Sequence, residues 1–87
     1  MKVRVHGEAR AELEAAAEWY ERRREDLGAD LLAEADQALL KIAEHPEAWP
    51  RVRSLRRTDV RQFVMSRFPM LVVYAVRESE LLVVAFA

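Results

Sequence analysis

Residues 70–87 read MLVVYAVRESELLVVAFA, two apolar runs joined by a short polar segment. Runs this rich in valine and leucine are typical of β-strands, and the pair Glu78-Ser79 between them is a turn signal. The sequence therefore predicts strands over 70–77 and 80–87, and their short connection makes them antiparallel neighbours. Neither run alternates apolar with polar side chains, so both faces of these strands need cover.

Two further strands are predicted outside this pair. Residues 60–68 form a β-rich run that Pro69 separates from the next one. Residues 2–6 alternate polar side chains with valine, which is the pattern of a short, half-buried strand, and we expect an edge or pairing strand. Pro46 and Pro50 bracket residues 47–49, and we expect the segment 46–50 to form a loop.

Between the first strand and this loop, apolar side chains recur every three or four residues, the period of an amphipathic helix. The residues concerned are Leu13, Ala16, Ala17 and Tyr20 in a first helix starting at Glu8, and Leu31, Leu32, Ala35, Leu39, Leu40, Ile42 and Ala43 in a second. The turn at 26–28 includes Gly28, which tolerates a positive φ. The second helix should end before Pro46. A short joint makes the two helices an antiparallel hairpin.

These elements predict a single α+β domain over residues 1–87 with the order β-α-α-β-β-β. The helical hairpin should pack on one face of a small, mainly antiparallel sheet. No predicted segment remains to cover the other apolar face. We therefore expect a partner segment or a second copy of the chain to cover it, as a homodimer or a hetero-oligomer.

The composition indicates a globular protein, with 52% hydrophobic and 33% charged residues. The absence of cysteine excludes disulfides, thiolate zinc sites and a cysteine nucleophile. No apolar run reaches the length of a membrane span or a signal peptide, so we expect a cytoplasmic protein without membrane contact. Charge is sorted along the chain: residues 7–47 hold 12 acidic and 5 basic side chains, whereas residues 51–67 hold 6 arginines against Asp59.

A set of short motifs, in order along the chain, resembles the RelE/ParE superfamily of toxins from type II toxin–antitoxin systems. The matching residues are AAAEWYE at 15–21, Leu27-Gly28, Ala38-Leu39 with Ile42 and Pro46, Arg56-Arg57, Arg67-Phe68-Pro69, and Val73-Tyr74. Membership implies the same β-α-α-β-β-β fold and a cognate antitoxin that wraps the toxin with an extended or helical segment. It also implies one of two targets: RelE-type members cut messenger RNA in the ribosome, and ParE-type members poison DNA gyrase.

Catalytic residues of the RelE type are not evident in the motifs. The resemblance implies a phosphate-stabilising arginine three residues before the central-strand tyrosine, and this position holds Leu71. It also implies proton-transfer groups after the last strand, whereas Ala87 lies within that predicted strand. We therefore predict a ParE-like toxin that binds and inhibits gyrase rather than an enzyme. The alternatives are a ribosome-dependent mRNA endonuclease that uses Arg57, Arg61 and Arg67, or a degenerate toxin that only binds its antitoxin.

For the antitoxin-binding surface we predict three arginines, Arg56, Arg57 and Arg61, and two apolar residues of the central strand, Leu71 and Val73. Arginine binds carboxylates through two parallel hydrogen bonds, which suits an acidic antitoxin segment. A second interpretation is that the arginines form a solvated edge that balances the acidic helices. His6 and His45 have no acidic partner at metal-ligand spacing, so we expect neither a metal nor another cofactor.

Overall fold

The computed structural model describes residues 2–52 and 59–87. Its elements are β1 (Lys2–Val5), α1 (Gly7–Arg23), α2 (Leu27–Glu44), β2 (Asp59–Val64), β3 (Leu71–Val76) and β4 (Glu80–Phe86). The order β-α-α-β-β-β confirms the predicted α+β fold. Within the described residues, no helix is long and apolar enough to cross a membrane.

The four strands form one sheet in the order β1-β4-β3-β2. β2 pairs antiparallel with β3, and β3 antiparallel with β4, whereas β1 pairs parallel with β4. The prediction of a mainly antiparallel sheet with the first strand at an edge is therefore confirmed. The register between β3 and β4 shifts between Val73 and Tyr74, where Val73 lies opposite Ala85 but Tyr74 lies opposite Val83. Val84 is thus the extra residue of a β-bulge.

Both helices pack on one face of the sheet. Ala9 and Ala17 of α1 and Leu31 and Ile42 of α2 are buried in the core. Ala17 lies at the contact between the two helices, where its backbone oxygen faces Gly28. The buried core of helices and sheet consists of Ala9, Ala17, Leu31, Ala35, Ala38, Ile42, Phe63, Met65, Phe68, Val72, Tyr74, Leu81, Val83 and Phe86. Within the strands, these residues alternate with side chains that point away from the helices.

The joint between the helices differs from the prediction. Asp26, not Gly28, is the residue with a positive φ, at 70°, and α2 already begins at Leu27. Aspartate tolerates this left-handed conformation better than most side chains. Gly28 lies in the first turn of α2, where a Cβ would collide with the backbone oxygen of Ala17. The glycine therefore permits close packing of the two helices, which sequence spacing does not reveal.

The predicted strand over 60–68 is too long, because β2 ends at Val64. Met65 and Phe68 are nevertheless buried in the core, from a turn in which the N–H of Met65 donates to the carbonyl of Met70 at 2.9 Å. An apolar run cannot by itself distinguish a strand from a turn that buries its side chains. The predicted strands 70–77 and 80–87 agree with β3 and β4 to within one residue at each end.

Candidate interaction surface

One face of the sheet carries apolar side chains that do not belong to the core. Residues directly opposite each other on paired strands share a face, so the register assigns this surface, here called the open face. Its residues are Val60, Gln62, Val64, Leu71, Val73, Ala75, Leu82 and Ala85. None of them packs against the buried core cluster, and both helices lie on the opposite side.

The open face is uncovered over the part of the chain that the structure describes. Val64 is 65% exposed, and Leu71, Val73 and Leu82 are half-buried. Ala75 is the exception at 3% exposure, since the larger Val60 and Leu82 flank it on the neighbouring strands. The helices do cover one face, as predicted. That a partner covers the other stays a prediction.

Leu71 and Val73, two of the predicted antitoxin-binding residues, lie together on the open face. They are two positions apart on β3, so their side chains point to the same side. Leu71 is fixed by a pair of backbone hydrogen bonds with Ala87, at 2.8 and 3.0 Å. The structure thus presents them as neighbouring apolar side chains on an inner strand of an apolar surface.

Arg61 does not lie with these two residues. It stands opposite Tyr74 on the helix-covered face, and its side chain is only 14% exposed. Its guanidinium donates to both carboxylate oxygens of Asp59, at 3.0 and 3.4 Å, and to the carbonyls of Glu47 and Trp49, each at 2.9 Å. These contacts tie the proline-bracketed loop to the sheet. They favour a structural role for Arg61, and its predicted contact with an antitoxin or a phosphate stays a prediction.

Tyr74 completes this internal network. Its side chain is fully buried, and its hydroxyl donates to the carbonyl of Pro46 at 2.8 Å. Burial raises the pKa of Tyr74 above its ordinary 10.0, although the nearby Arg61 acts in the opposite direction. A neutral hydroxyl that already donates its proton to a carbonyl is unsuited to act as a general base. Its hydrogen bond to Pro46 instead holds the proline-bracketed loop against the sheet.

Arg67 lies in the turn after β2, and its guanidinium contacts Asp30 at 3.5 Å. The turn itself is held by α2, because the backbone N–H groups of Ser66 and Arg67 both donate to Glu34 Oε2, at 2.7 and 3.0 Å. Arg61 and Arg67 share no contact partner, so the structure does not bring these two nuclease candidates into one site. Arg56 and Arg57, the other arginines predicted to act, lie outside the described residues.

Sequence reasoning missed a groove at the β1 edge of the sheet. Side chains of β1 and α2 line this groove, which we call the β1 groove and which has a volume of about 410 Å³. The lining residues are Val3, Val5, Asp36, Leu39, Leu40 and Ala43. The apolar period of α2 signalled a wide stripe, but only the tertiary structure shows that the sheet ends before covering it. Leu40 remains 57% exposed.

Comparisons with known proteins agree with this architecture. The chain matches the family of ParE toxins of type II toxin–antitoxin systems, parDE, over residues 3–87. Among solved structures, it is similar to a chain described as the chromosomal ParDE toxin–antitoxin system from P. aeruginosa. The two are 18% identical with a TM-score of 0.68, covering 99% of this chain and 92% of the other. A search of curated proteins gave no match. The predicted superfamily is confirmed, and the chain belongs to the ParE toxin family of type II toxin–antitoxin systems.

Proposed function

We propose that this toxin acts by binding and inhibiting DNA gyrase, and that a cognate antitoxin neutralises it. The match to the ParE family over residues 3–87 carries the proposal. Two features of the chain support binding over bond cleavage. Leu71 offers no charge to a phosphate, and the guanidinium of Arg61 is already held by Asp59 and two backbone carbonyls.

The antitoxin is proposed to cover the open face, with Leu71 and Val73 among its contacts. An apolar sheet face without cover is costly to expose to water, and a partner that removes it from water stabilises the folded toxin by mass action. The similar P. aeruginosa structure, whose description names a ParDE system, supports a partner of this kind. Arg56 and Arg57 are proposed to bind carboxylates of the same antitoxin.

Bacterial growth after induction of this chain alone, and then together with its neighbouring gene, tests the toxin and its neutralisation. We expect growth arrest in the first case and relief in the second. Normal growth on induction of the stably expressed chain would contradict a toxic activity and favour a protein that only binds its antitoxin.

A supercoiling assay with purified gyrase tests the target. We expect the free toxin to inhibit supercoiling, and heat-treated toxin or the toxin–antitoxin complex not to. Cleavage of transcripts on ribosomes, with gyrase unaffected at a large excess of toxin, would contradict the proposal and favour an endonuclease. Arg67→Ala is the appropriate nuclease control, because Arg61→Ala would also release the loop that Arg61 holds.

A further inference from the structure

Three aromatic side chains form a continuous row from the core to the surface of the helical hairpin. The Trp19 ring meets the Tyr20 ring edge-to-face, with ring centroids 5.0 Å apart, and Tyr20 meets Phe68 in the same way at 5.0 Å. Phe68 is 5% exposed, Tyr20 is half-buried, and Trp19 is 44% exposed. We call these three residues the aromatic row. It places a large exposed ring on a support that is anchored in the core.

A guanidinium lies at each end of the aromatic row. The Cζ atom of Arg23 lies 3.6 Å from the centroid of the Trp19 ring. At the other end, the Cζ atom of Arg67 lies 5.7 Å from the centroid of the Phe68 ring. Arg67 is paired with Asp30 at 3.5 Å, whereas no described carboxylate pairs with Arg23. The tryptophan thus fixes the position of a cation whose charge no ion pair within the described residues offsets.

Both exposed groups are ordered before a partner arrives. Tyr20 packs against the Trp19 ring, and Arg23 covers one face of the same ring. Binding therefore costs less side-chain entropy here than at a tryptophan or an arginine that moves freely in the unbound protein. A guanidinium over an aromatic face also keeps N–H groups available, and it donates them in pairs to a carboxylate or a phosphate. This end of the row is therefore suited to bind an anionic group beside an apolar one.

The charges around the row favour a carboxylate of a protein over the phosphates of DNA. The arginines at 22–24 are flanked by Glu21 and by Glu25-Asp26, and the whole chain has a net charge of −1. A DNA duplex presents phosphates continuously, and the proteins that bind it do so with extended positive surfaces. An arginine beside a tryptophan and a tyrosine is instead the composition of a hot spot in a protein–protein interface.

The aromatic row is separate from the surface proposed for the antitoxin. Trp19 and Tyr20 belong to α1, which packs on the face of the sheet opposite the open face. Leu71 and Val73 point to the other side of the sheet. A side chain at the exposed end of the row can therefore be changed without altering the open face.

We propose that the exposed end of the aromatic row is the surface through which this toxin binds its target protein. The Trp19 ring enters an apolar recess of the target, and the guanidinium of Arg23 binds a carboxylate at the rim of that recess. Tyr20 and Phe68 hold the tryptophan in place. This inference rests on the proposed function, because it takes DNA gyrase as the target.

Purified gyrase tests the row on the full chain through two measurements. These are the affinity of the toxin for gyrase, with and without bound DNA, and the inhibition of supercoiling. Trp19→Ala and Arg23→Glu should each weaken binding and inhibition about tenfold or more, because truncation of a hot-spot residue has an effect of that size. Arg23→Lys keeps the charge but loses the paired donors, so its loss should be smaller than that of Arg23→Glu.

Arg10→Glu and Leu40→Ala are the matched controls. Arg10 is an exposed arginine of the same helix as Arg23, about 20 Å from it along the helix axis. Leu40 is an apolar side chain of α2 that is 57% exposed, so its truncation matches that of Trp19. Both controls should change the affinity for gyrase by less than about twofold. Thermal unfolding of every variant shows whether a loss of binding reflects a loss of the fold.

Binding to the purified product of the neighbouring gene is a further control. Trp19→Ala and Arg23→Glu should bind it as the original chain does, because the open face is unchanged. A parallel loss of binding to this product would place the row in the antitoxin interface and overturn the inference. Binding of the toxin to duplex DNA alone, or self-association of the toxin, would also overturn it if Arg23→Glu abolished that binding.

The outcomes separate this inference from the proposed function. If the original chain inhibits gyrase and both row variants inhibit it equally well, the proposed function stands and the aromatic row is wrong. If gyrase is unaffected but growth arrest still requires Trp19 and Arg23 and not Arg10, gyrase is the wrong target and the row stands as the surface that binds another protein. A chain that neither binds gyrase nor arrests growth would overturn both.

Discussion

Three glutamates of the helices bind backbone N–H groups of other segments. Their contacts are Glu12 with Phe86, Glu21 with Asp26 and Gly28, and Glu34 with Ser66 and Arg67, all between 2.7 and 3.0 Å. In sequence they are part of an acidic run that suits a solvated helix face. In the structure each carboxylate satisfies donors that a bulged strand, a helix start and a turn leave without partners.

Gly28→Ala should destabilise the protein by about 1–3 kcal/mol, because overpacking a close contact costs that much. An alanine Cβ there would collide with the carbonyl of Ala17 and lie 2.9 Å from Glu21 Oε1. The expected loss outweighs the gain of roughly 1 kcal/mol that alanine brings to a helix. Urea unfolding at neutral pH measures the change.

Gly7→Ala is the control for this substitution, since Gly7 also lies in a helix and a Cβ there meets nothing within 4 Å. Its free energy of unfolding should stay the same or rise by up to about 1 kcal/mol. Equal effects of the two substitutions would show that the close approach of the helices does not require a glycine.

At the level of elements, the start of α2 depends on a hydrogen-bond acceptor that lies outside this helix. Asp26, the N-cap residue of α2, makes no side-chain capping hydrogen bond. Glu21, in the last turn of α1, instead accepts hydrogen bonds from the N–H groups of Asp26 and Gly28 at the start of α2. The start of one helix is therefore stabilised by a side chain of the other.

The stability of this joint should depend on pH through Glu21. Hydrogen bonds from the backbone of Asp26 and Gly28 lower the pKa of Glu21 below its ordinary 4.5. A lowered carboxyl pKa gives stability that is complete above the unfolded-state pKa and is lost as the pH falls through the folded-state value. The melting temperature should therefore fall less on acidification in Glu21→Gln than in the original chain.

Glu14→Gln is the matched control for that experiment. Glu14 lies on α1, is exposed, and makes no side-chain hydrogen bond to any described residue. Its acid dependence should follow that of the original chain. If Glu21→Gln also follows it, the ionisation of Glu21 contributes nothing to stability.

The elements also show what sequence alone can predict. The two helices were predicted from the period of their apolar residues, and β3 and β4 from their apolar runs. Both signals are local in the sequence, and these predictions agree with the structure. The end of β2 could not be predicted from the pattern. Met65 and Phe68 are buried in the core, and a buried side chain is apolar in a turn as it is in a strand. The roles of Arg61 and Gly28 depend on contacts with distant segments, which no spacing encodes.

At the scale of the whole molecule, the open face is the main apolar surface that no described residue covers. Its three strands, at ordinary spacing and about six residues long, present roughly 300 Å². Stable interfaces bury about 800 Å² per partner, so two open faces alone are too small for a tight dimer. The open face could be predicted from the sequence because two helices can cover only one side. The β1 groove could not, since it depends on where the sheet ends relative to α2.

We therefore expect the free chain to associate weakly with itself through the open face. The average sedimentation coefficient should rise with concentration, and Val73→Lys should hold it at the monomer value because a charge would be buried in the contact. Leu32→Lys, on the helical side, should leave the association unchanged. A chain that sediments as one monomer at every concentration, without the partner, would contradict this expectation.

The parallel pairing of β1 with β4 has a consequence for the order of folding. Lys2 lies opposite Glu80, so β1 has no neighbour in the sheet until β4, which follows all the other described elements in the chain, has been made. In the sheet, β4 lies between β1 and β3, so β4 is the only described strand with which β1 pairs. Contacts this distant in sequence slow folding. A nascent chain on the ribosome therefore cannot complete its sheet until nearly all of these residues have emerged, which delays the appearance of the native toxin behind its translation.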